Sequence, residues 1–409
     1  MKHTQDYIDA ELAHSAHNYD PLPVVLNKGE GIYMWDVEGK RYYDFLSGYS
    51  SVNQGHCHPK ILEVMQKQMH QLTLTSRAFH NDQFADYAIY ITELFGYDKV
   101  LPMNTGAEAV ETALKLARKW AYEVKGVDED AAKIVVVDGN FHGRTISIVS
   151  YSSDPDAKTN FGPFTPGFIQ IPYNDVTALE EVLKRDPSIA AFLVEPIQGE
   201  AGVFVPDDGY LKACSEICKK HNVLFMADEI QTGLARTGKM LACDHEDVKP
   251  DVLILGKALS GGTIPISAVL ADDEIMMTIR PGEHGSTFGG NPLACSVAKA
   301  ALQVLVEEDL ANKAQHLGEL FRETLKSWKH PFVMEVRGKG LLNAMVIKHD
   351  NPEAATQLCL ILKEKGLLAK PTHGDKIRFA PPLVIKEEEL IKAMDIIKEG
   401  LGDLEKQLA

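Results

Sequence analysis

Val223-Leu224-Phe225-Met226-Ala227-Asp228-Glu229 sets an acidic pair directly after a wholly apolar run. A second run, Val252-Leu253-Ile254-Leu255-Gly256, leads into Lys257 and then Ala258-Leu259-Ser260-Gly261-Gly262. Short runs that are apolar on both faces read as strands covered by helices, the pattern of a parallel sheet. Such sheets bind ligands beyond the carboxyl ends of their strands. Asp228 and Lys257 are 29 residues apart, close to the ~30 of one βαβ unit. The spacing therefore predicts an acid and an amine facing one crevice. Taken alone, the two suit a structural ion pair equally well.

Further apolar runs recur at 133–137 and 191–194, and strand-to-helix alternation covers roughly residues 50–290. This is an α/β pattern. After Thr105-Gly106, the residues Val110, Ala113, Leu114, Ala117, Ala121 and Val124 fall on one helical stripe. From Pro292 a long helical stretch runs to about Trp328. A smaller α+β unit follows: Val333–Ile347, a helix through Glu364, a strand near Ile377–Phe379 and a last helix from about Lys386. The chain is thus read as an N-terminal segment (1–48), a large domain (49–292) and a smaller C-terminal domain (293–409).

A third element accompanies the acid and the lysine. Met103-Asn104-Thr105-Gly106-Ala107-Glu108 opens the amphipathic helix with small residues. A helix N-terminus leaves backbone N–H groups free, and its dipole favours an anion. An amine, an acid and a phosphate cradle together match what a pyridoxal-phosphate enzyme needs. The lysine joins the aldehyde, the acid keeps the pyridine nitrogen protonated, and the cradle takes the phosphate.

Composition narrows the partners. The 409 residues carry 42 basic and 58 acidic side chains, a formal net charge of −16, which repels nucleic acid. Hydrophobic content of 45% is that of a globular chain, and no apolar run reaches the ~20 residues of a membrane span. Six cysteines form no CxxC pair, and the first residues are acidic, with no arginine before Arg41. Together these predict reduced thiols and a cytoplasmic protein.

Two motifs are decoys. Gly233-Leu234-Ala235-Arg236-Thr237-Gly238-Lys239-Met240 lacks the Ser/Thr that a P-loop needs at its last position. Gly55-His56-Cys57-His58 bunches metal-ligand types, but neighbouring residues point apart and no second cluster has metal spacing, so no metal is expected.

Asp228-Glu229-Ile230-Gln231-Thr232-Gly233 and Gly256-Lys257-Ala258-Leu259-Ser260-Gly261-Gly262 resemble the signature of the class III (subgroup II) aminotransferases. The likeness extends over the chain through His17-Asn18-Tyr19, 50–56, Asn140–Thr145, Glu195–Gly202, His284–Thr287 and Ile377–Pro382. It implies fold type I of the pyridoxal-phosphate-dependent transferases: a mostly parallel seven-stranded sheet covered by helices, plus a smaller C-terminal α+β domain. By that resemblance Lys257 carries the cofactor and moves protons, Asp228 faces the pyridine nitrogen, and Gln231 bonds the ring hydroxyl. Phe141 stacks on the ring, Gly106 and Ala107 hold the phosphate, and Ser286 and Thr287 reach it from a neighbouring subunit. A homodimer with shared active sites follows.

The resemblance is strongest to the branch of the family that uses ornithine and 2-oxoglutarate. It assigns Tyr19 and Arg144 to the α-amino-acid end of ornithine, and Tyr49 to a further substrate contact. Glu200 masks Arg378 while ornithine is bound and swings away when 2-oxoglutarate arrives. The branches acting on N-acetylornithine or 4-aminobutyrate share the cofactor residues, as do aminomutases of the same fold.

Overall fold

The computed structural model describes residues 3–408. Three strands open the chain after a helix at Thr4–His14: β1 (Leu26–Glu30), β2 (Tyr33–Asp36) and β3 (Arg41–Asp44). The central sheet uses β4 (Lys99–Met103), β5 (Lys133–Val137), β6 (Phe168–Ile171), β7 (Ile189–Val194), β8 (Leu224–Asp228), β9 (Val252–Leu255) and β10 (Ser267–Ala271). The C-terminal strands are β11 (Val333–Lys339), β12 (Leu342–Ile347), β13 (Leu367–Leu368), β14 (Lys370–Thr372) and β15 (Lys376–Phe379).

The seven central strands run in the order β4-β10-β9-β8-β7-β5-β6. Only β10 is antiparallel to its neighbours in that sheet. This is the mostly parallel seven-stranded sheet expected of fold type I. Alternation along each strand feeds two cores, as a period of two requires. Ile134, Val136, Leu193, Met226 and Ile254 pack under the helix Gly106–Trp120. Val135, Val137, Phe192, Val194 and Phe225 pack under the helices Val176–Arg185 and Tyr210–Lys220. Cys214 and Cys218 share the buried face of the latter, and the six cysteines are free.

The N- and C-terminal parts are not separate. β3 pairs in parallel with β13, so residues 26–44 and 367–368 build one four-stranded sheet. A second four-stranded sheet, β11-β12-β15-β14, is antiparallel throughout. Among the described residues no helix is long and apolar enough to cross a membrane.

Three local expectations need correction. Val124 is 45% exposed although its stripe-mates are buried. The helix loosens into a π turn over Ala121–Lys125, which rotates Val124 off the stripe. The stretch from Pro292 to Trp328 is two helices, Pro292–Glu307 and Leu310–Ser327, broken where Asp309 takes φ 52°. Val333–Ile347 is the hairpin β11–β12 turning at Gly340, φ 52°.

Candidate active site

Four strands of the central sheet deliver side chains to one place. Asp228 ends β8 and is 4% exposed. Its Oδ2 accepts a 2.6 Å bond from His142 Nδ1, and its Oδ1 accepts from the Ile230 amide at 3.0 Å. Burial alone would push the His142 pKa down, but the bond to Asp228 and its charge win and raise it. His142 Nε2 has no partner.

Lys257 follows β9 and begins a tight helical turn with φ 45°, a left-handed conformation that costs energy for a residue with a side chain. Burial first, then the Arg378 charge, lower its amine to about 8; Glu200, Asp228 and Glu195 pull the other way. Glu195 follows β7, and its Oε2 accepts from the Phe141 amide at 2.9 Å. Burial pushes the Glu195 carboxyl up to about 7.

The loop after β5 carries Phe141 and Arg144, whose guanidinium carbon lies 5.5 Å from the Phe141 ring centre. Gly143, φ 133°, lets that loop cross the helix N-terminus, where a Cβ would come 3.0 Å from the Cβ of Ala107. The helix itself starts with a capping box. Thr105 Oγ1 accepts from the Glu108 amide, and Glu108 Oε2 accepts from the amides of Thr105 and Asn104. The first two helical amides, of Gly106 and Ala107, have no acceptor within the helix.

These pieces enclose a cavity of about 130 Å³ lined by Gly106, Ala107, Phe141, Asp228, Gln231 and Lys257, with His142 and Glu195. A neighbouring cavity of about 320 Å³ is walled by Phe141, Arg144, Glu200 and His373. Arg378, on β15, is 2% exposed. Its Nη1 donates to Glu200 Oε2 at 3.0 Å, to the Gly199 carbonyl at 3.1 Å and to Gln231 Oε1 at 3.3 Å. Its guanidinium carbon lies 5.0 Å from the Tyr49 ring centre. Burial works to raise the Glu200 carboxyl, but Arg378 outweighs it and holds it low.

Not every sequence-derived residue converges here. Tyr19 is 73% exposed and shares an apolar cavity of about 420 Å³ with Tyr49, apart from the one that Arg144 lines. Ser286 Oγ accepts from Asn104 Nδ2 at 2.7 Å, Thr287 is exposed, and neither borders the three cavities. His142 and Glu195 received no role from the sequence. The strand-end rule, applied to the run 191–194, points straight at Glu195; His142 lies five residues beyond the run 133–137, in the loop that the same rule singles out.

The decoys resolve locally. His56 bonds Asp44 at 2.7 Å and His58 bonds Glu308 at 2.9 Å, so the two imidazoles serve different partners. Among the described residues no group of three or more metal-ligating side chains forms.

An amine and an acid at neighbouring strand ends, facing free helix amides, define a class of carbonyl-cofactor enzyme, and the chain belongs to the class-III aminotransferases, matching that family over residues 14–401. It is 61% identical over 399 residues to "Ornithine aminotransferase, mitochondrial" of Rattus norvegicus, covering 97% of this chain and 91% of the relative. The solved ornithine aminotransferase of Toxoplasma gondii superposes with a TM-score of 0.97 at 51% identity, covering 99% of this chain and 96% of that one. The acetylornithine aminotransferase of Elizabethkingia anophelis superposes with a TM-score of 0.91 at 59% identity, over 98% and 100% of the two chains. Enzymes of this family use pyridoxal 5′-phosphate. The cavity of about 130 Å³ fits that group. It offers an amine of lowered pKa for the aldehyde, a buried carboxylate for a pyridinium, helix amides for a phosphate and an aromatic face.

Proposed function

We propose that this chain moves the δ-amino group of L-ornithine to 2-oxoglutarate, forming glutamate 5-semialdehyde, which cyclises to pyrroline-5-carboxylate, and glutamate. The observation that carries this reading is the Glu200–Arg378 pair at 3.0 Å, facing the cavity that Arg144 lines. A buried arginine that a carboxylate covers can serve a substrate carboxylate only when uncovered. That suits a site which takes an ω-amine first and an α-keto acid second.

Bound pyridoxal phosphate supplies an electron sink for the carbon bearing the amine. Lys257 and Asp228 are the catalytic residues in this reading. Gly106 and Ala107 bond the phosphate, Gln231 the ring hydroxyl, Phe141 covers the ring, and Asp228 keeps the ring nitrogen protonated. With the group bound, Lys257 Nζ would be the residue that carries the proton at the δ-carbon of ornithine, and burial brings its amine down to about 8. Arg144 and Tyr19 hold the α-amino-acid end of ornithine, and Tyr49 is a further substrate contact. In the second half-reaction Arg378 binds the α-carboxylate of 2-oxoglutarate once Glu200 has turned aside.

The proposal includes a homodimer in which Ser286 and Thr287 complete the partner's phosphate site, supported by the exposure of Thr287. It keeps the three-part division at 48/49 and 292/293, with the N-terminal strands bound to the C-terminal part through β13. It also keeps a cytoplasmic location, supported by six free cysteines; the rat relative is named as mitochondrial. Imaging of a tagged chain in its own cell decides between the two compartments.

The resemblance to the Elizabethkingia enzyme favours N-acetylornithine as a second reading. Trapping pyrroline-5-carboxylate with o-aminobenzaldehyde separates the two. Colour with ornithine that depends strictly on added 2-oxoglutarate supports the proposal. Turnover of N-acetylornithine in preference to ornithine overturns it. Tyr19→Ile adds a check, since it shifts preference toward 4-aminobutyrate if Tyr19 serves the α-amino end.

A further inference from the structure

The P-loop decoy holds an arginine that the reaction does not use. Arg236 is 0% exposed, the largest fully buried side chain in the described protein. Its Nε and Nη2 donate to Asn53 Oδ1 at 3.1 and 2.6 Å, and its Nη1 donates to the carbonyls of Leu341 at 3.0 Å and Pro381 at 2.6 Å. Among the described residues no carboxylate forms a salt bridge with it; neutral oxygens take its hydrogen bonds, and the Asp44 charge acts on it only from beyond contact. Burial pushes its pKa down to about 9. A cation placed like this is costly to keep, and its geometry shows what it secures.

The three partners belong to three distant stretches, and each adjoins the Arg378 side of the site. Pro381 lies three residues after Arg378. The chain between them is fixed twice more: Ser47 Oγ donates to the Ala380 carbonyl at 2.7 Å, and the Ala380 amide donates to the Phe45 carbonyl at 2.8 Å. Asn53 Nδ2 donates to the Leu234 carbonyl at 2.8 Å, while the Asn53 carbonyl accepts from the Leu383 amide at 2.8 Å. Between these anchors sits the turn 47–50, with Ser47, Gly48, Tyr49 and Ser50 all left-handed, which presents the Tyr49 ring to Arg378. Leu341 holds the β11–β12 hairpin, where a Cβ at Gly340 would run into the Thr237 backbone.

We propose that Arg236 is a positioning residue for the keto-acid half-reaction, fixing the Arg378 strand against the Tyr49 turn through Asn53 and the Pro381 carbonyl. The proposal rests on the reading that Arg378 takes the α-carboxylate of 2-oxoglutarate. Ornithine is handled while Glu200 masks Arg378, so loosening this staple costs the second half-reaction, which needs the Arg378 guanidinium in place, more than the first, which loses only the fixing of the Tyr49 turn.

Single-turnover measurements test this, with ornithine added alone to the pyridoxal-phosphate-loaded enzyme and 2-oxoglutarate added to enzyme already carrying the amino group from ornithine, with the excess ornithine removed. Arg236→Lys and Asn53→Ala raise the concentration of 2-oxoglutarate giving half the maximal rate on the order of tenfold, the worth of one charge-assisted bond. The ornithine half-reaction falls by clearly less than the keto-acid one, and the visible spectrum of the loaded protein stays near wild type. Equal loss in both half-reactions, or an unchanged 2-oxoglutarate dependence in a folded variant, overturns the proposal. If Arg236→Lys fails to fold, Asn53→Ala decides. Arg378→Ala is the control: if it leaves the 2-oxoglutarate dependence unchanged, the reading of Arg378 itself is wrong and the proposal falls with it.

Discussion

Glu200 Oε2 and Arg378 Nη1 lie 3.0 Å apart, with Arg378 almost fully buried and Tyr49 stacked beside it. The pair closes a carboxylate site from within. Removing the glutamate unmasks the arginine, so Glu200→Ala improves use of glutamate as amino donor relative to ornithine. The ratio of kcat/KM values shifts on the order of tenfold, one charge-assisted bond. An unchanged ratio removes the gate from the mechanism.

Lys257 sets a pH dependence. Only a neutral amine attacks an aldehyde, and an exposed lysine is neutral in only about 0.3% of molecules at pH 8. Burial and Arg378 bring Lys257 down to about 8, so half its amines are neutral there. Because the pKa is lowered, the reactive form gains as pH rises through that value. Recombination of the cofactor-free protein with pyridoxal phosphate therefore reaches half its maximal rate near pH 8. A rate still rising about tenfold per pH unit above pH ~9 contradicts this. Lys257→Ala gives no visible band from a covalent lysine linkage.

Asp228 and His142 separate chemistry from stability. Asp228→Asn keeps the shape but loses the charge opposite the pyridine nitrogen, and lowers kcat by about 10²–10³. His142→Leu takes the 2.6 Å donor from a buried carboxylate. Urea unfolding of the cofactor-free protein then shows a loss of about 2 kcal/mol. Unchanged stability would mean that water replaces the imidazole.

Thr287 tests the assembly. Light scattering gives twice the 45.1 kDa chain mass if the protein is a homodimer. Thr287→Ala then weakens cofactor binding by about tenfold while leaving the dimer intact. Unaltered affinity removes Thr287 from the phosphate site.

The strand-end rule carried much of this site without coordinates. Asp228, Lys257, Gly106 and Ala107 line one cavity because each follows or begins an element whose pattern is legible. His142 lies five residues past the end of β5, farther from a strand end than Asp228 or Lys257, and nothing in a linear chain says which carboxylate an imidazole will meet 86 positions away. Val124 went astray for a local reason: periodicity assumes 3.6 residues per turn, and the π turn does not keep it.

Short-range periodicity and burial encode the sheet, the alternation of its helices and the chemical types at its strand ends, so these are legible along the chain. Which charges meet is settled by the packing of distant segments. Glu200 and Arg378 are 178 residues apart in the chain, and Arg236 reaches Pro381 across 145. Those contacts depend on how the C-terminal strands pack against the rest of the chain, through the β3–β13 pairing with the N-terminal strands and the buried 233–238 loop after β8. Long-range docking is a sum of many weak burial terms, and no single stretch of sequence carries it.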